Sequence, residues 1–235
     1  LLLQSWVRIR EGELHSVIQG LFMGSKFFYF VIISGFFTVS SLASSLSPLQ
    51  KILPKIAMSK GSSLKSYGPT SFEEKTIEGS VTVYGPASFK GVTVNASTQV
   101  MGPMVAEKSF FQTIHVDGPL SLKMCEIKNG LVNGPVEMSS CKVGETIEIN
   151  GPLFASATEF NGDISIATNE LTLQGQTKTK NIFIRTIQED KEQKVYLKDW
   201  ALVGGDIAFE SGKGKVFISE GAKITGQISG GILVK

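Results

Sequence analysis

The sequence predicts an all-β chain wound as a single-stranded parallel β-helix. This β-solenoid has triangular rungs of about 16–17 residues, Gly-Pro corners and an N-terminal hydrophobic helix before it. Three observations predict it. Gly-Pro recurs at Gly68-Pro69, Gly85-Pro86, Gly102-Pro103, Gly118-Pro119, Gly134-Pro135 and Gly151-Pro152, at spacings of 17, 17, 16, 16 and 17 residues. Apolar residues keep fixed offsets from each pair. After position 60 their rhythm is alternation, not the 3.6-residue beat of a helix.

Each rung divides into three short strands. Two residues past the Gly stand Thr70, Ala87, Met104, Leu120, Val136 and Leu153; four past it stand Phe72, Phe89, Ala106, Leu122, Met138 and Ala155. These pairs form a first strand with one face inward. Nine past the Gly, Ile77, Val94, Phe111, Ile127, Val143 and Phe160 anchor a second. Pairs such as Val81/Val83, Ile114/Val116 and Ile147/Ile149 form a third, which runs into the next Gly-Pro. β-Branched and aromatic residues dominate these positions, as strands favour. Proline cannot donate to a ladder and so marks a bend, where glycine supplies the backbone angles.

Beyond Ile166 the strands continue without Gly-Pro, through the segments around Leu171, Ile182, Val195, Ile207 and Val216 to a terminal Ile-Leu-Val. The charged stretch from Arg185 to Lys194 reads as a loop off one rung, and Gly212-Lys213-Gly214-Lys215 as a corner. About nine rungs are expected, a rod of roughly 40–45 Å at strand spacing.

The domain reading is residues 1–22 as upstream translation or extension, 23–43 as signal peptide or membrane anchor, 44–66 as linker and 67–235 as solenoid. Lys26 precedes an apolar run of 13 residues, Phe27 to Val39, and Ser41-Leu42-Ala43 offers a small-x-small cleavage site. A comfortable membrane helix needs about 20 residues, so a cleaved export signal is preferred over an inner-membrane anchor at 27–43. The expected place of work is the periplasm, outer surface or medium, with membrane contact only through that segment.

Charge narrows the function. Lys and Arg number 23 against 21 Asp and Glu, a net of +2, and Arg185 is the only arginine after position 44. A nucleic-acid groove needs clustered positive charge and favours arginine, so nucleic acid is not an expected partner. Cys125 and Cys141, the only cysteines, each lie seven residues past their Gly and so point inward on adjacent rungs. They read as a candidate disulfide between rungs, with two stacked buried thiols as the alternative. Without histidine partners they do not form a zinc site. His115 lies between inward-facing Ile114 and Val116, so it faces outward, beside Gln99 and Leu131. Aspartate is sparse, and Asp163 and Asp206 share a Gly-Asp-Ile motif that reads as the opening of a strand. No catalytic set, metal site or cofactor is expected. Asn95-Ala96-Ser97 matches a glycosylation acceptor.

The short triangular rungs and the tail, from Gly205-Asp206-Ile207 to the stretch Gly221–Gly231, resemble the bactofilin type of polymer-forming solenoid. The resemblance is carried in motif by the tail and elsewhere by architecture. It implies end-to-end self-assembly without nucleotide. The Gly-Pro corners and the export signal depart from that family, and adhesin-like solenoids of bacterial envelopes are equally similar by pattern. The expected function is therefore that of an exported, non-enzymatic scaffold at a bacterial envelope. Its partners would be copies of itself or envelope components. A surface adhesin or glycan binder is the alternative, and a polysaccharide-active β-helix enzyme the second alternative. The outward positions Ser71, Ser88, Val105, Ser121, Glu137 and Phe154 form no aromatic ladder.

Overall fold

The computed structural model describes residues 63–187, 191–219 and 221–234. The expected hydrophobic helix, the export signal and most of the linker lie outside the described residues. The first strand, Leu64–Tyr67, opens within the span assigned to the linker.

Every strand pairing is parallel, and each residue is in register with its counterpart one repeat on. Thr70 pairs with Ala87, Ala87 with Met104, and Met104 with Leu120. The architecture is a parallel β-solenoid with three faces. The first face follows each Gly-Pro and is a ten-stranded sheet, from Thr70–Glu73 through Leu120–Lys123 to Gly231–Val234. The second carries short strands such as Thr76–Ile77 and Lys142–Val143. The third carries strands such as Val81–Tyr84 and Ile147–Asn150, which run into the next first-face corner. In Thr93–Met101, Phe110–Asp117 and Glu126–Asn133 one strand passes unbroken from the second face to the third, so those two faces form a single sixteen-stranded sheet.

Rung number exceeds the expectation. The described residues complete nine circuits, and a tenth ends after its first-face strand, Gly231–Val234. The additional part-rung comes from the proline-free tail, where nothing in the sequence marks a corner. Two other boundaries shift. Gln193 and Lys194, assigned to a loop, already belong to the strand Gln193–Leu197. Gly214 opens the strand Gly214–Ile218, which leaves Gly212 and Lys213 as the corner.

The core is the stack of inward positions. Ile77, Val94, Phe111, Ile127, Val143 and Phe160 are all buried, as are the first- and third-face pairs from Val81 to Phe209, apart from Gly130. No rung can cover its own apolar edge, so burial is a property of the stack. Phe72 and Phe89 stack at 4.9 Å, and Phe89 meets Phe111 edge-on at 5.2 Å, filling the N-terminal rungs.

The alternation of 16- and 17-residue steps has one cause. Sixteen-residue rungs turn from second to third face through two residues, Gln112-Thr113 or Lys128-Asn129. Seventeen-residue rungs use three: Glu78-Gly79-Ser80, Asn95-Ala96-Ser97 or Gly144-Glu145-Thr146. Where the two lengths meet, the register shifts between Val94 and Ser97, a bulge that takes up the extra residue.

Gly-Pro corners owe their composition to close stacking. A methyl group on Gly134 would lie 2.5 Å from the carbonyl oxygen of Gly118, and one on Gly151 would lie 2.5 Å from that of Gly134. At Gly68 a methyl would meet nothing within 4 Å. The prolines lose nothing by lacking an N–H. Their carbonyls accept from the rung before, as Pro86 does from Thr70 and Pro103 from Ala87, both at 2.9 Å.

Candidate functional site

The corner between first and second faces is built from backbone strain and a buried polar column. Six residues past each Gly the chain enters the left-handed region, at Glu74 (φ 43°), Gly91 (63°), Lys108 (50°), Met124 (53°), Ser140 (55°) and Ala157 (50°). Only one of the six is glycine, so the turn is imposed by the stack against local preference. The next residue points inward: Ser109, Cys125, Cys141 and Thr158 in successive rungs, then Thr177. Each side chain donates back to a carbonyl just before the turn. Ser109 donates to Glu107 at 2.8 Å, Cys125 to Lys123 and Cys141 to Ser139 at 3.3 Å, and Thr158 to Ser156 at 3.0 Å. Each also accepts from the backbone N–H of the rung before. Val92 donates to Ser109 at 3.1 Å, Cys141 to Thr158 at 3.4 Å and Thr158 to Thr177 at 3.2 Å. The N–H groups of Ser109 and Cys125 reach the sulfurs of Cys125 and Cys141 in the same way. Hydroxyl and thiol therefore satisfy buried backbone donors at a turn.

Both cysteines are free thiols here, 3% and 4% exposed, on adjacent in-register rungs. Hydrogen bonding from the Cys125 thiol holds Cys141 below the usual thiol value. The same interaction, followed by burial, pushes Cys125 up. Outside them runs an open groove of about 580 Å³, lined by Lys108, Met124, Ser140, Lys142 and Glu159 among others.

Charge alternates along this corner. On the first face Glu73, Lys90, Glu107 and Lys123 are register partners in succession. On the second face Glu126, Lys142, Glu159 and Lys178 are likewise. Stacking identical repeats would set like charges opposite one another; alternation makes each step attractive. This pattern is visible only when the sequence is folded at the repeat length.

The third face carries a polar ladder. Asn133 donates to Asp117 at 2.6 Å, Asn150 to Asn133 at 2.7 Å, and Arg185 to Asn150 at 2.6 Å while pairing with Glu148 at 2.7 Å. Arg185 thereby reaches back two rungs, across the row of Ser165 and Ala167. His115 faces outward beside Gln99 and Leu131, as its place in the repeat indicates. It also lies 3.4 Å from Asp117, two residues along its own strand, a neighbour that looking only across rungs misses. At the next corner Asp163 and Asp206 open strands: Asp163 accepts from Asn181 at 2.9 Å and Asp206 from the N–H of Gln227 at 2.7 Å. Among the described residues, no group of three or more His, Cys, Asp or Glu side chains is placed to hold a metal ion.

Aromatic pairs occur at both ends. Tyr67 and Tyr84 stack at 5.0 Å with Lys65 over both rings, and Tyr196 and Phe217 stack at 4.9 Å. At the C-terminal end Leu233 occupies the inward column below Val216. Val216 is fully buried, whereas Leu233 is 45% exposed. Beside it Lys215 pairs with Glu192 at 2.6 Å and draws that carboxyl below the usual value, with Lys194 adding at 3.6 Å.

No known protein family, curated protein or solved structure matches the chain. Of the resemblance carried by the sequence, the structure supports the β-solenoid architecture.

Proposed function

We propose that this chain is a non-enzymatic structural solenoid, exported to a bacterial envelope, that assembles with copies of itself through its rung ends. The observation that carries the reading is the exposed apolar pair Ile232 and Leu233 on Gly231–Val234, the last described strand of the first-face sheet, which pairs with Gly214–Ile218 on one side. A strand edge with unpaired backbone groups and bare apolar side chains favours addition of another strand. The ladders support a passive role, since the hydrogen-bonded Asn, Ser, Thr and Cys columns serve stacking. Export rests on the Met23–Ala43 segment alone.

Sedimentation velocity and electron microscopy of the full chain test the assembly. Concentration-dependent filaments are expected, and Leu233→Asp should abolish them while preserving the far-ultraviolet signature of sheet. A wild-type chain that stays monomeric at every concentration overturns the reading. The glycan-binding alternative has one observation in its favour, the exposed Tyr67 beside Lys65. Stacked tyrosines spend ring faces on each other and leave mainly edges for a sugar, which makes this the weaker reading. A glycan array with Tyr67→Ala as control separates the two.

A further inference from the structure

We propose that two copies of this chain dock side by side, antiparallel and second face against second face, about a two-fold axis that passes between Lys142 and Glu159. The contact lies on the flank of the solenoid and does not rest on assembly through rung ends.

The ground is an outward row on the second face that is its own complement when read backwards. Phe110, Glu126, Lys142, Glu159, Lys178 and Leu202 are register partners in succession, one per rung. The four charged members are exposed and the two apolar ones half-buried. A two-fold axis lying across the rungs at the centre of the row reverses the row in the second copy and sets it against itself. Lys142 then meets Glu159 of the second copy, Glu126 meets its Lys178, and Phe110 meets its Leu202. Base faces acid and apolar faces apolar throughout. Attraction between rungs of one chain explains why the charges alternate. It does not explain why an apolar residue stands just beyond each end of the charged run, at equal distance from the centre. Self-association explains both.

The neighbouring row, at the left-handed corner, obeys the same symmetry. Ser140 and Ala157, two residues before Lys142 and Glu159, are small and exposed, so the two backbones can approach at the centre. Met124, 41% exposed, faces Gln176 of the second copy. Trp200, 67% exposed, faces its Lys108, cation against indole, and Asp199 beside Trp200 offers the same lysine an opposite charge. Two large apolar side chains that the fold leaves bare are thus covered. On the other side of the row Gly144 faces Asn161. The like-charge meeting there, Lys128 with Lys180 of the second copy, falls at the rim, where Lys128 already pairs with Glu145 at 3.5 Å.

Rungs rise about 4.8 Å each, so the row is about 24 Å long, and three rows two residues apart span roughly 15–20 Å with their side chains. About 1,000 Å² is buried over both copies, at the small end of specific interfaces, so a weak, reversible dimer is expected.

Charge exchange between two variants tests the proposal, with Leu233→Asp in every chain so that rung-end assembly does not intervene. Glu126→Lys alone sets lysine against lysine across the contact, and Lys178→Glu alone sets glutamate against glutamate. By sedimentation equilibrium each should dimerise at least about 10-fold more weakly than the parent chain. Their equimolar mixture should regain the parent affinity, because each reversed charge meets its opposite in the other variant. A folding defect would not be rescued by mixing. In the wild-type chain a zero-length carbodiimide cross-link should join Glu126 to Lys178. Within one chain these lie three rungs, about 14 Å, apart, beyond its reach. A mixture that associates no more tightly than either variant alone overturns the proposal. Filaments without the Glu126–Lys178 cross-link overturn it and leave rung-end assembly standing; the cross-link in a chain that forms no filaments does the reverse.

Discussion

Replacing Gly134 by alanine should cost far more than the same change at Gly68, although both glycines open a Gly-Pro corner. At Gly68 the penalty is backbone strain alone: φ is +89° and the added methyl meets nothing, so about 1–2 kcal/mol is expected. At Gly134, φ is +158° and the methyl lies 2.5 Å from the Gly118 oxygen, roughly 0.9 Å inside the 3.4 Å of ordinary contact. The obstacle is backbone, which moves only if the rung moves. Displacing a closely packed rung costs about 1–3 kcal/mol, and holding a non-glycine residue in such a conformation costs about as much again. A total of about 3–5 kcal/mol follows. With a urea dependence near the upper end of about 1–3 kcal/mol/M, the midpoint should fall by about 1–2 M, against about 0.3–0.7 M for Gly68→Ala. Urea unfolding followed by circular dichroism reads both, and hydrogen exchange should place the lost protection on the rungs around Gly118 and Gly134. Equal midpoints for the two variants would refute the argument that contact between stacked corners selects glycine.

Relieving the left-handed turn should have the opposite sign. Lys108→Gly removes an exposed side chain at φ 50° and should stabilise the fold by about 0.5–1 kcal/mol, read as a higher melting temperature. Lys142→Glu sets like charges opposite both Glu126 and Glu159; a loss of about 1 kcal/mol that shrinks in high salt is expected, and a salt-independent loss counts against the charge ladder. Deleting Ala96 converts a three-residue corner to the two-residue form of the next rung, so the variant should retain cooperative unfolding, whereas deleting a residue from Ala87–Lys90 should abolish it. Glu192 and Glu145 have folded values held below the ordinary glutamate range. For Glu192 the cause is chiefly the Lys215 hydrogen bond; for Glu145 it is chiefly that from Asn129. The stability they contribute is complete above the ordinary glutamate value and is lost as pH falls through the depressed values, so an acid titration of Glu192→Gln should be flatter than that of the wild type.

Most of the scaffold was legible because its determinants repeat. The inward columns, the outward placement of His115 and the shared column of Cys125 and Cys141 all follow from a fixed offset to Gly-Pro, and the strand-opening role of Asp163 and Asp206 from their shared Gly-Asp-Ile motif. The tail was harder to read because its corners lack proline, and it hid the tenth rung. The left-handed column escaped notice because Glu74, Lys108, Met124, Ser140 and Ala157 share no chemistry; the stack imposes their conformation. The alternating charges and the hydroxyl–thiol column were present in the sequence. They surface only when residues 16 or 17 apart are read as neighbours.

By itself the sequence determined the period, the in–out pattern and the corners, since alternation and Gly-Pro spacing are local properties that any parallel winding must respect. Only the tertiary structure decided what each position meets. A glycine is required at Gly134 because the Gly118 backbone lies against it, Arg185 reaches back to Asn150 and Glu148, and Leu233 is exposed where its register partner Val216 is buried. Those are relations between rungs. They exist once the chain has closed each circuit and set the next strand on the last.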